Sequence, residues 1–200
     1  MADAKKKSKI IEKAVTPKGT LIYAWVDKPD NSEYGKGKYK CGILLEKGVK
    51  ANDEFAKKLN SLHKAAKGKS DARPAKDGDE LAEDNEKKEK LRGYWVITAK
   101  SQNKPSQKAA DGKTDLKETA RSGDFGRLSV AIAEYDAGAN KGVTLYLNGL
   151  KLLERRAGHD LGFEDESDDY ENDAAEGSDT SEDDDGDNGG NQGAGDDSDF

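Results

Sequence analysis

The spacing of apolar positions changes several times along the chain, and each change marks an element. In residues 21–26 (LIYAWV) the alternation sets Ile22, Ala24 and Val26 on one side of a strand and Leu21, Tyr23 and Trp25 on the other. Residues 38–45 (KYKCGILL) follow a turn-rich stretch with Pro29, Gly35 and Gly37, and read as a second strand, bent near Gly42 and antiparallel to the first. From Asn52 the period lengthens: Phe55, Leu59, Leu62 and Ala66 lie on one helical stripe, capped by Asn52 or Asp53 and stopped near Gly68. Residues 94–101 (YWVITAKS), 125–135 and 143–154 (VTLYLNGLKLLE) give three more strands, with Leu128, Val130 and Ile132 alternating against Arg127, Ser129 and Ala131. Five strands and one amphipathic helix predict a mainly β chain built as one small barrel or sandwich. An OB-fold-like five-stranded barrel is such a fold, although the pattern does not separate it from other small barrels.

Composition adds segments that cannot pack. Only 32% of the 200 residues are apolar, too few for a core along the whole length, so the folded domain is assigned to residues 16–160. Residues 1–15 read as a flexible basic N-terminus, in which Lys5, Lys6 and Lys7 form either a short nucleic-acid arm or a solubilising end. Residues 69–90 are charged, small or turn-forming almost throughout and read as a surface insertion or a frayed helix. Residues 102–123 read as a lysine-bearing loop.

Charge divides the chain most sharply. Residues 161–200 hold no lysine or arginine and 17 of the 41 carboxylates; residues 1–160 hold all 34 basic residues against the other 24 carboxylates, a surplus of ten. The acidic part lacks the apolar surface that would offset chain entropy, and is expected to be a disordered tail. A basic body implies an anionic partner, and a tethered polyanion can compete for the same surface.

Several chemistries find no material. One cysteine, Cys41, leaves no intramolecular disulfide and no zinc cluster, and fits a reducing cytosol. Of two histidines, His63 adjoins the apolar stripe of the helix, where a structural role is expected, and no triad can be assembled. The run beginning at Asp183 places Asn188 and Ala194 where a calcium loop needs glycine and glutamate. Asp124-Phe125-Gly126 has no kinase context, and Gly35-Lys36-Gly37 lacks the third glycine of a dinucleotide loop. No catalytic site, cofactor, metal or membrane role is expected.

What the chain does carry is aromatic side chains interleaved with cations, the combination that holds unpaired nucleic acid by stacking and phosphate contacts. The candidates are Tyr23, Trp25, Tyr34, Lys36, Lys38, Lys40, Trp95, Lys100, Arg127 and Tyr146. Lys38 and Lys40, at i and i+2, share a strand face.

The Lys-Tyr-Lys strand before an amphipathic helix, the closing strand VTLYLNGLKLLE and an acidic tail with Asp196-Asp-Ser-Asp-Phe200 together resemble the single-stranded DNA-binding proteins of tailed bacteriophages. The resemblance covers residues 16–162 in order of elements and the tail in character. It implies an OB-fold that holds single strands with little sequence preference, and a tail that competes with DNA and contacts replication partners such as a DNA polymerase through Asp196, Asp197, Asp199 and Phe200. It also implies the cytoplasm of a bacterial host. Weaker binding of duplex DNA or RNA, an RNA-binding barrel, and an acidic-tail chaperone or adaptor for basic proteins stay open at this point.

Overall fold

The computed structural model of the chain describes residues 7–33 and 35–156, Lys7 by its backbone alone. The tail candidates Asp196, Asp197, Asp199 and Phe200, and Tyr34, lie outside the described residues. Within them are strands β1 (Lys7–Val15), β2 (Gly19–Asp30), β3 (Lys38–Glu46), β4 (Ala75–Asp77), β5 (Tyr94–Ser101), β6 (Ser106–Lys108), β7 (Phe125–Ala137) and β8 (Asn140–Glu154), and helices α1 (Lys50–Ala65) and α2 (Gly78–Asp84).

All five strands expected from the alternation are present, as β2, β3, β5, β7 and β8. They close a ring: β2 pairs with β3, β3 with β5, β5 with β8, β8 with β7, and β7 back to β2. Of these five pairings only β5–β8 is parallel, through the single pair Lys100–Tyr146. This is the five-stranded Greek-key barrel of an OB-fold, nearly open at one seam. Its interior is filled by Leu21, Val26, Cys41, Ile43, Leu45, Ile97, Ala99, Leu128, Val130 and Ile132, with Ala56 and Leu59 of α1 packed on the same core.

Three expectations give way. The N-terminal segment is not free from Lys7 onward: β1 pairs antiparallel with β7 along its length, and Thr16 fastens its end by giving its N–H to Leu128 O and accepting Leu128 N–H on Oγ1. The adjacent Ile10 and Ile11 are both exposed where the strand bulges, and that bulge hides the period-two signal. Helix α1 starts at Lys50, before the expected cap, with no side-chain bond at its N-cap; Asp53 instead accepts the N–H of Gly48 at 3.1 Å. The charged segment 69–90 is built into the domain: β4 pairs with β5, and Ala75, Gly78, Ala82 and Leu91 are buried.

The packing of β4 and β8 along β5 positions the site. Residues 95–97 of β5 pair with β4, while Lys100 pairs with β8, so that the two neighbours diverge. His63 of α1 stands behind this fork. Its Nδ1 accepts the N–H of Val143 at 3.0 Å, which fixes the ring as the Nε2–H tautomer, and Nε2–H donates to Lys69 O at 2.9 Å. The structural role expected for His63 is what the chain shows: one imidazole ties α1, β8 and the connection leading to β4.

Candidate nucleic-acid interface

On the outer face of the barrel, register alone builds a row across four strands. Trp25 of β2 is paired with Lys40 of β3, Lys40 with Lys100 of β5, and Lys100 with Tyr146 of β8. Directly paired residues share a face. At about 4.8 Å between neighbouring strands the row is about 14 Å long, with aromatic groups at its ends and ammonium groups between them.

Tyr23 joins this row through a departure from regular pairing. Its φ is +50°, and the β2–β3 register shifts between Ile22 and Trp25. The bulge corrects the simple alternation read from the sequence: Leu21 turns into the barrel core with Ala24 and Val26, whereas Ile22 turns outward with Tyr23. Tyr23 and Trp25 do share a face, as the alternation sets them, and both are half-buried. Lys40 Nζ sits 5.6 Å from the Tyr23 ring centroid. Below them Ile22, Leu44, Leu91 and Val96 make an apolar outer floor. Gly42 permits this, because a Cβ there would lie 2.7 Å from Ile22 Cγ1.

The floor and the row open into a groove of about 770 Å³. Tyr23, Lys40, Lys100 and Tyr146 line it, and Trp25 stands at the end of the row just outside the lining. Electrostatics distinguishes the two central lysines. Lys40 donates to Asp30 Oδ2 at 2.8 Å, and Asp30, with its side chain 3% exposed, also accepts from the N–H and Oγ of Ser32. Burial works to raise the Asp30 pKa, but the bonds from Lys40 and Ser32 outweigh it and hold the carboxyl below its usual range. Lys100 makes no ion pair among the described residues: partial burial, then repulsion from Lys40 and Lys38, push its pKa down against a weaker pull from Asp30. A cation held under this strain is relieved by an incoming anion.

The other candidates are dispersed. Lys38 is close enough to Lys100 to depress it, and Lys36, with φ +52°, is exposed on the turn that leads into β3. Arg127 lies apart, paired with Lys151 four residues along β7 from Ala131, the partner of Tyr146. Trp95 faces the other way: its indole packs against the barrel core, donates Nε1–H to Asp53 Oδ1 at 2.8 Å and carries Lys47 at 5.0 Å from its centroid. It does not line the groove.

Sequence reasoning missed one wall. Arg73, Lys76 and Lys88, from the segment read as a solvated insertion, line the groove opposite Thr144 and Tyr146. No local signal reports that β4 folds back onto β5. Thr98 was within reach, since it stands at i−2 from Lys100 on the same face. Among the described residues no cluster of His, Cys, Asp or Glu could hold a metal ion, and no helix is long and apolar enough to cross a membrane.

The profile of the family described as Enterobacter phage Enc34, ssDNA-binding protein, matches residues 12–185. Among solved structures, the fold resembles the single-stranded DNA-binding protein from bacteriophage Enc34 in complex with ssDNA, with TM-score 0.57 and 20% identity over 72% of this chain and 87% of that one. A C-terminal truncation of the same Enc34 protein gives TM-score 0.58 and 17% identity, again over 72% and 87%. Gp2.5, a single-stranded DNA binding protein encoded by bacteriophage T7, gives TM-score 0.52 and 15% identity over 74% and 96%. At these identities the likeness establishes the fold. A search of curated proteins gives no match.

Proposed function

The chain belongs to the family of the Enterobacter phage Enc34 ssDNA-binding protein, and from that premise we propose that it holds single-stranded DNA in the groove over β3 and β5, without catalysis and with little sequence preference. The observation that carries this reading is the Trp25–Lys40–Lys100–Tyr146 row. Its lysines are spaced to meet a phosphate backbone and its rings offer faces to any base, since stacking and phosphate contacts read neither base identity nor order. Tyr23, Lys36 and Lys38 extend the same surface. Arg127 lies too far along β7 to share the row, and Trp95 contributes nothing to it.

The protein thereby coats unpaired DNA during replication, recombination or repair in the cytoplasm of a bacterial host. Duplex DNA and RNA bind more weakly, through phosphate contacts. The acidic segment 161–200 competes for the groove and, through Asp196, Asp197, Asp199 and Phe200, recruits replication proteins such as a DNA polymerase.

Fluorescence anisotropy on oligo-dT, duplex DNA and RNA of equal length tests this with Lys100→Ala/Tyr146→Ala, two exposed positions whose loss leaves the core intact. One lost stack and one lost phosphate contact should weaken oligo-dT binding about 10- to 100-fold. Unchanged affinity, or no preference for single strands in the parent chain, would favour an adaptor for basic proteins instead.

A further inference from the structure

A second cavity, of about 460 Å³, opens on the other side of Arg73, between α1, the connection to β4 and β5. Lys57, Ser61 and Lys64 line it and fall at i, i+4 and i+7, one stripe of α1. At 1.5 Å rise per residue the two lysines stand about 10 Å apart. Both are exposed, and neither takes part in an ion pair among the described residues.

The interior of this cavity has the opposite character. Trp95 and His63 contribute rings whose nitrogens are already engaged, the indole with Asp53 and the imidazole with Val143 and Lys69. Neither leaves an unmet polar demand; the imidazole, 1% exposed, lies beneath the cavity, and the half-buried indole offers the apolar ring surface. A cationic rim over an aromatic floor is the complement of a nucleotide, base inward and phosphate outward.

Arg73 connects the two cavities, since it lines both. It is held by Nε–H to Ser70 O at 2.8 Å and by an exposed pair with Glu80 at 2.6 Å. An exposed ion pair contributes little, so a phosphate can take the place of Glu80.

We propose that this cavity is a second nucleotide subsite, which receives the single strand as it leaves the groove past Arg73, seats a base against Trp95 and places the following phosphates on Lys64 and Lys57. The proposal rests on the groove reading and extends it by a site that register alone does not reveal. It gives Trp95 a role that its absence from the row denies it.

The full chain should be titrated with oligo-dT of increasing length as parent, as Lys57→Gln/Lys64→Gln, and as Trp25→Phe, which leaves Trp95 the sole tryptophan of the two. The glutamine pair should match the parent on oligomers short enough to fill only the groove. On longer ones it should bind about tenfold more weakly, with a log–log salt slope shallower by about 1.4, two phosphates at about 0.7 each. Trp95 fluorescence should be quenched by the longer oligomers alone. Equal affinity at every length with unquenched Trp95 overturns the subsite. If Lys100→Ala/Tyr146→Ala still loses binding in that case, the groove stands without it; if neither pair of substitutions matters, the groove reading fails as well.

Discussion

The proposed phosphate contact turns on Lys100. Burial and the neighbouring Lys40 and Lys38 disfavour its charged form, so it titrates below the ordinary lysine range. For a lysine with a depressed pKa, the proton is lost first as pH rises, and with it the contact to a phosphate. Oligo-dT affinity of the parent chain should therefore decline at a pH below that at which exposed lysines discharge. Lys100→Arg keeps its charge throughout and should lack this early decline. Anisotropy titrations of both across the alkaline range check it, and coincident profiles would remove Lys100 from the contact. Lys40, Lys100 and Tyr146 were legible because period two holds through β3, β5 and β8. Ile22 and Leu21 were assigned to the wrong faces because one bulged residue, Tyr23, inverts the pattern on its N-terminal side. Trp95 follows Gly93, whose φ of +78° turns the chain just before β5, so its face could not be counted from the preceding residues.

At the scale of elements, one imidazole ties β8 to the connection that leads into β4, the two neighbours that diverge from β5 beside the groove. His63 is clamped between two glycines: a Cβ on Gly142 would meet its Cε1 at 2.4 Å, and one on Gly68 would meet its Nε2 at 2.1 Å. Gly142 also has φ +146°, where a side chain is strained in any case. Gly142→Ala should then destabilise the domain by about 2 to 3 kcal/mol, read as a lowered urea midpoint with unchanged m. An unaltered midpoint would mean that the ring moves freely and does not hold the fork. The elements that alternation revealed are those that face the barrel interior on one side. Those it missed, β1, β4 and β6, are held by backbone pairing to β7, β5 and β8, with little side-chain burial of their own. Hydropathy cannot report a strand that joins a sheet through its backbone, and the Arg73–Lys76 wall of the groove was lost with β4 for that reason.

Over the whole molecule the deciding quantity is charge: a surplus of ten positive charges in residues 1–160 and seventeen negative charges in residues 161–200. That division was legible from composition alone, because it needs no knowledge of packing. On the proposed reading, a polyanion on the same chain has a high effective concentration at the groove, and DNA would have to displace it in order to bind. Removal of residues 161–200 should raise oligo-dT affinity at low salt by about tenfold or more. Salt then separates competition from any general effect of net charge. It weakens the hold of DNA on the groove, but in the full chain it weakens the acidic segment's hold as well, and the two losses partly cancel. The full chain should therefore show the shallower log–log salt slope, and the two affinities should converge as salt rises. Parallel slopes with a constant offset would mean that the acidic segment acts on the surrounding potential and not at the groove, while equal affinities at low salt would remove it as a competitor.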